Sequence, residues 1–189
     1  MQNDDDQDTT ETEQSSTPRR YFGIEETVFI LLVILSLLGI FITDFSPEDG
    51  YGYWLFMVLV FGILSIFVSW LQAKTKENDI GDIVKIQSLH WLHTLVIVLA
   101  ASLLNKSGQL NDMSASLVIL LILALTTMLD GIRIGWQFSL LGFFLAACAI
   151  IVAYVEQFIW TCTGLAVVVV ICTFLRGFWL NSHAVNEQN

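Results

Sequence analysis

Residues 24–43 read IEETVFILLVILSLLGIFIT, and this stretch decides the fold. After Glu26 it contains no charged side chain, and about 20 residues of this kind, each rising about 1.5 Å as a helix, are enough to cross the hydrocarbon core of a bilayer. The stretch follows an acidic segment, and it lacks both the basic start and the small-residue cleavage site of a signal peptide. It therefore predicts a transmembrane helix that is retained in the protein.

The composition of the whole chain agrees with lipid surroundings. Of its 189 residues, 55% are hydrophobic and 14% are charged, with a mean hydropathy of +0.69, whereas a soluble domain has about 25% charged residues. Part of the net charge of -10 lies in one hydrophilic N-terminal tail, residues 1–20, which we expect to be disordered. The lipid bilayer is therefore the first predicted partner, and the acidic charge does not indicate a cationic one.

Further stretches of similar length and hydropathy follow along the chain and complete a set of six predicted spans. They lie at 24–43, 53–73, 85–104, 113–132, 136–155 and 158–175. Because the connections are short, successive spans are expected to be antiparallel neighbours. We predict an all-α integral membrane protein, a six-helix transmembrane bundle of three antiparallel hairpins over 21–180, followed by a short tail at 181–189.

The basic residues orient this bundle, because cytoplasmic loops retain positive charge more readily than translocated ones. With the N-terminus inside, only Lys106 of the eight basic residues is external. The others are Arg19, Arg20, Lys74, Lys76, Lys85, Arg133 and Arg176. We therefore expect both termini in the cytoplasm, and we expect the membrane to be a bacterial inner membrane.

Tryptophans and small residues give a second description of the spans. Indole rings prefer the membrane interface, and Trp54 and Trp160 fall at predicted outer ends, while Trp91 is an exception inside the third span. Close helix packing in lipid needs small side chains along one face. Such faces are Gly142, Ala146, Ala149 and Ala153 on the fifth span, Gly62, Ser65 and Ser69 on the second, and Ser36, Gly39 and Thr43 on the first. They favour packing within one chain, with contact to a membrane-protein partner or a second copy as the alternative.

The third span differs from the others because it is polar in its first half. At about 100° per residue its polar side chains fall within an arc of about 140°, so we expect this face to point into the bundle. The face comprises Asp82, Gln87, His90, His93 and Thr94. His93 is expected deepest and His90 one turn nearer the cytoplasm.

Other spans supply candidate partners for this face at a similar depth. Thr126, Thr127 and Asp130 belong to the fourth span, and Glu25 and Glu26 begin the first. Ionisable groups inside a membrane are costly and are the first place to look for function. Together they predict a cytoplasm-facing pocket for a proton, a metal ion or a small polar ligand, with candidate ligand-binding residues His90, His93, Gln87 and Asp130.

The alternative is that the third span starts late, which would leave Gln87 and His90 in the wet interface with Trp91 as an anchor. A metal ion on two histidines at i and i+3 would need further ligands from other helices, so we predict neither a metal nor a cofactor. The segment 130–136, DGIRIGW, is interpreted as a tight inner turn with an Asp130–Arg133 ion pair. Its alternative role is docking of a cytoplasmic partner.

Several functions are excluded by the pattern. Voltage sensing needs a series of spaced arginines in a span, transmembrane di-haem ligation needs facing histidines on different helices, and hydrolysis needs a nucleophile, base and orienting group. We therefore expect a non-enzymatic membrane protein that acts by association, as an accessory or assembly subunit. The alternative is a small transporter or channel that uses the polar face of the third helix; no nucleic-acid partner is expected.

Overall fold

The structure, a computed structural model, describes residues 22–75, 80–154 and 158–186. Within these ranges the chain is helical, and the helices follow the predicted spans closely. They are α1 (Phe22–Phe45), α2 (Pro47–Thr75), α3 (Ile80–Lys106), α4 (Asp112–Arg133), α5 (Trp136–Tyr154) and α6 (Phe158–Asn186). The acidic tail predicted at 1–20 lies outside the described residues. The tail predicted at 181–189 is described only as far as Asn186, where it continues α6.

Five of the helices, α1 to α5, are long and apolar enough to cross a membrane. Among the residues of α6 whose side chains the structure describes, the apolar stretch is Trp160–Arg176, which is shorter. Large apolar side chains such as Leu92, Leu99 and Phe143 are exposed on the outside of the bundle, where a soluble protein would place polar groups. An all-helical chain with apolar spans and an apolar outer surface confirms the coarse prediction of a helical protein suited to the membrane.

The helix ends follow local sequence signals. Pro47 is the first residue of α2, a position where its missing N–H costs nothing. Asn111 caps α4, with its side-chain oxygen accepting a hydrogen bond of 2.8 Å from the backbone N–H of Ser114. Between α3 and α4, Gly108 adopts a φ of 75°, a conformation that side chains disfavour. These signals mark where α2 and α4 begin and where the chain turns between α3 and α4.

The core lies between α1, α2, α4 and α5. Its largest wholly buried side chains include Phe29, Phe61, Leu123 and Phe144. The main contacts of α3 are with α2 and α4. Only 22% of the apolar stretch of α3 is buried inside the bundle, against 56% for α4. Helix α3 is therefore an outer helix held along one face, and that face carries the polar residues.

Small residues allow the helices to approach closely, as the sequence predicts. A Cβ atom added to Gly142 would lie 2.6 Å from the carbonyl oxygen of Ala124, and one added to Gly39 would lie 2.5 Å from the ring of Tyr53. Most of the small residues thus pack within the chain, whereas Ala153 of the fifth-span face is exposed. Trp54 is enclosed by the bundle: it is 1% exposed, and its Nε1 donates to Thr43 over 3.0 Å inside the α1–α2 contact.

Candidate functional site

Asp130 is a charged side chain enclosed by the helices. It lies in the last turn of α4, and its side chain is 1% exposed. Burying an unpaired carboxylate is costly, so such a group needs hydrogen-bond donors. Donors come from α2 and α3, and Asp130 therefore joins three helices at one point.

The donors surround both carboxylate oxygens. Oδ1 accepts a hydrogen bond of 2.7 Å from Nε2 of Gln87, and Nε2 of His90 lies 3.3 Å from the same oxygen. Oδ2 accepts 2.9 Å from Nε1 of Trp91 and 2.5 Å from Oγ of Ser65. An ionised carboxylate only accepts hydrogen bonds, and the arrangement suits that form. We call Ser65, Gln87, His90, Trp91 and Asp130 the Asp130 cluster.

The hydrogens in the cluster can be placed by elimination. Nε2 of Gln87 also donates to Oγ of Ser65 over 2.6 Å, so both of its hydrogens are used. Nε2 of His90 faces two acceptors, Oδ1 of Asp130 and the carbonyl oxygen of Thr126 at 3.4 Å. It must therefore carry the hydrogen, which leaves Nδ1 as the ring atom able to accept a proton.

Polarity ends shortly beyond the cluster. Thr94 of α3 and Thr126 of α4 hydrogen-bond to each other at 3.2 Å, one turn further along each helix. Past them the buried side chains include Phe61, Ile119 and Leu123, and buried serines such as Ser36 and Ser116 donate to carbonyl oxygens of their own helices. The described residues therefore show no continuous polar path from the Asp130 cluster to the other end of the bundle.

A cavity adjoins the cluster at the end of the bundle where α4 finishes. Its volume is about 360 Å³, near the lower limit of about 300 Å³ for ligand pockets. The lining residues come from α2, α3 and α4: Ser69, Gln72, Ala73, Ile83, Ile86, Gln87 and Arg133. Gln87 belongs to both the cavity wall and the Asp130 cluster, and it connects the two.

The structure brings together three of the predicted site residues, Gln87, His90 and Asp130. It does not bring His93 to them. His93 is exposed on the outer side of α3, and its Nδ1 lies 2.7 Å from the carbonyl oxygen of Leu89 within the same helix. The prediction that His93 faces into the bundle is therefore wrong, because the buried face of α3 is narrower than the predicted polar arc.

The alternative of a late start to the third span predicts a wet Gln87 and an interfacial Trp91, and the bundle encloses both side chains. Helix α3 begins at Ile80, and both Gln87 and Trp91 are buried, at 2% and 4% exposure. Trp91 donates to Asp130 rather than anchoring an interface. Of the carboxylates at the start of the first span, Glu26 takes no part in the cluster, and the side chain of Glu25 lies outside the described residues.

Two members of the cluster, Ser65 and Trp91, were assigned other roles from the sequence. Ser65 is predicted only to allow close packing, and Trp91 is an exception among the interfacial tryptophans that becomes an anchor only if the third span starts late. A usable signal exists, since a Trp beside a polar helical face brings an N–H donor that needs a partner when buried. Gly62 of α2 leaves room for the Trp91 ring, because a Cβ there would lie 3.1 Å from it.

The predicted inner turn is shorter than expected. Asp130 and Gly131 belong to α4, and only Ile134 and Gly135 separate it from α5. Gly131 serves packing rather than turning, since a Cβ there would meet Ser139 of α5 at about 2.0 Å. The expected Asp130–Arg133 ion pair is absent between these two described residues; Arg133 is exposed and lines the cavity.

A metal site finds less support in the described part of the chain. It contains no group of three or more His, Cys, Asp or Glu side chains placed to hold a metal ion. Comparisons with protein families, curated proteins and solved structures give no match for this chain. Its function must therefore be inferred from the cluster and the cavity.

Proposed function

We propose that this chain is a small carrier of the transporter class, in which Asp130 and His90 form a proton-binding pair. The observation that carries the proposal is the 3.3 Å contact between them, with a carboxylate that is 1% exposed and an imidazole that is 16% exposed. Ionisable pairs within membrane helices mark ion pathways and proton relays. Of the two hypotheses drawn from the sequence, the geometry favours transport over association.

The proton enters at His90. Its Nδ1 has no hydrogen-bond partner among the described residues, and no buried side-chain nitrogen or oxygen among them lacks one, so Nδ1 is accessible. A proton on Nδ1 gives an imidazolium beside the Asp130 carboxylate and removes the net charge of the pair. Because a net charge is costly inside a membrane, this change favours a different helix arrangement in each protonation state.

A carrier fits better than an open channel. The cavity reaches Gln87 from one end, while the interior beyond Thr94 and Thr126 is closed by apolar side chains. Access from one side at a time is the working principle of carriers, which move one group of helices against another. Helix α3 has the smallest buried share of the five spans and is the element proposed to move once its bonds to Asp130 rearrange.

The proposal includes an orientation for the bundle. The helices form three antiparallel hairpins, α1–α2, α3–α4 and α5–α6, with both termini in the cytoplasm of a bacterial cell and the cavity open to the cytoplasmic side. The support is the sequence, where positive charge gathers at the α2–α3 and α4–α5 connections. No catalytic activity is proposed.

Infrared difference spectroscopy on the protein in lipid, between acidic and alkaline buffer, tests the pair. We expect carboxyl and imidazole bands that are lost in Asp130→Asn and altered in His90→Gln. His93→Gln is the matched control, because His93 is an exposed histidine on the same helix. If the spectra of Asp130→Asn and His90→Gln equalled that of the wild type, the pair would exchange no proton, and an accessory subunit acting by association would become the better hypothesis.

A further inference from the structure

The cavity beside the Asp130 cluster has its own binding chemistry. We infer that it holds a small organic anion that also carries a hydrogen-bond donor, such as a hydroxycarboxylate or the headgroup of an anionic, hydroxyl-bearing lipid. This inference rests on the proposed function, since it names the class of solute that the carrier would bind. The charge, the donor and the size of the occupant each follow from particular wall residues.

Arg133 sets the charge of the occupant. Among the described residues it is the only ionised side chain that lines the cavity, and none of their carboxylates pairs with it. The nearest carboxylate along α4, Asp130, already accepts hydrogen bonds from α2 and α3. A guanidinium keeps its charge and offers a fork of donors that matches a carboxylate or phosphate, so the cavity favours an anion.

Gln87 adds a second requirement, that the occupant carry a hydrogen-bond donor. Both hydrogens of its Nε2 are used, on Ser65 and Asp130, while its Oε1 accepts no hydrogen bond from the described residues. The side chain is only 2% exposed, and the cavity is the open space that it borders. An occupant with a hydroxyl or ammonium group satisfies this acceptor, and an occupant without one leaves it unpaired, at a cost in affinity.

The remaining wall limits the size and polarity of the occupant. Ile83 and Ile86 of α3 and Ala73 of α2 form an apolar part of the lining, which suits a short hydrocarbon segment. With a volume of about 360 Å³, the cavity accepts a small metabolite or a lipid headgroup and excludes a polymer. Binding to Gln87 would act directly on the donor that holds Asp130, which links the occupant to the proton-binding pair.

Calorimetric titration of the full-length protein in detergent with glycolate and with acetate tests the inference. Both probes are anions, and only glycolate has a hydroxyl donor. We expect glycolate to bind more tightly than acetate, and to bind roughly tenfold or more weakly to Arg133→Gln. Lys74→Gln is the matched control, because it removes an exposed positive charge at the same end of the bundle as Arg133 but outside the cavity lining.

A lipid source is tested in nanodiscs of phosphatidylcholine with and without phosphatidylglycerol. If the occupant is a headgroup, phosphatidylglycerol raises the unfolding temperature of the wild type and Lys74→Gln, but not of Arg133→Gln. Either source supports the inference. It is overturned if neither the soluble anions nor phosphatidylglycerol distinguish Arg133→Gln from Lys74→Gln, or if both soluble anions bind and acetate binds as tightly as glycolate. Proton exchange by Asp130 and His90 is measured separately, so either proposal can fail without the other.

Discussion

Nε1 of Trp91 donates a hydrogen bond of 2.9 Å to Oδ2 of Asp130, across the contact between α3 and α4. The indole ring fills the space above Gly62 of α2, so one side chain connects three helices. A hydrogen bond between a buried indole and a carboxylate fixes the rotation of α3, because a small turn of that helix would break it. Trp91 thus sets which residues of α3 face the cavity.

Replacing Trp91 with Phe tests this role. The variant keeps an aromatic ring against Gly62 but removes one donor from a buried carboxylate, and we expect a loss of about 1 to 2 kcal/mol in unfolding free energy. Unfolding in detergent, followed by circular dichroism, gives the measurement. Trp160→Phe is the control, since Trp160 is 80% exposed and should be close to neutral. Equal stability of the two variants would show that the Trp91 bond adds nothing.

The spans were predictable because each is decided by local composition. The run at 24–43 needs no knowledge of the rest of the chain to be assigned to a helix, and α1 covers it completely. Partners across helices are different. Nothing near Ser65 in the sequence indicates that it meets Asp130, since their pairing depends on how α2 and α4 are rotated and displaced.

For the polar face of α3, the sequence predicted that the face is buried but not how wide the buried part is. Its period correctly indicated that Gln87 and Thr94 are buried. It could not set the width of the buried face, which depends on how α2 and α4 flank the helix. His90 lies at the edge of that face and His93 beyond it, although both fall in the predicted arc.

Replacing each of the two histidines of α3 with Leu should change stability in opposite directions. His90→Leu removes a donor from Asp130 and should cost about 1 to 3 kcal/mol. His93→Leu puts an apolar side chain on an outer surface and should be neutral or slightly stabilising. Thermal unfolding in detergent measures both, with the exposed Leu99→Ile as control. A larger loss for His93→Leu than for His90→Leu would contradict the placement of α3.

The contact between α4 and α5 is tested by a pair of glycines. A Cβ at Gly142 would lie 2.6 Å from backbone atoms of Ala124 and Met128, whereas one at Gly164 of α6 would meet nothing within 4 Å. Gly142→Ala should therefore cost about 1 to 3 kcal/mol through forced separation of the helices. Gly164→Ala should be neutral or stabilising by up to about 1 kcal/mol, since alanine favours the helix. Similar results for both, measured by thermal unfolding, would rule out the close packing of α4 on α5.

The last prediction concerns the membrane topology. Reporters fused after Asn78, Gly135 and Asn189 should report the cytoplasm, and reporters fused after Glu48, Gly108 and Gln157 the opposite side. The expectation follows from positive charge, which places only Lys106 of the basic residues outside. Paired reporters, one active only in the cytoplasm and one only outside, measure each position twice. Changing Lys74, Lys76 and Lys85 together to Gln should weaken the orientation, while Lys106→Gln should not. An external signal at Gly135 would mean that α4 and α5 do not both cross the membrane, and the cavity beside Arg133 would then not open to the cytoplasm.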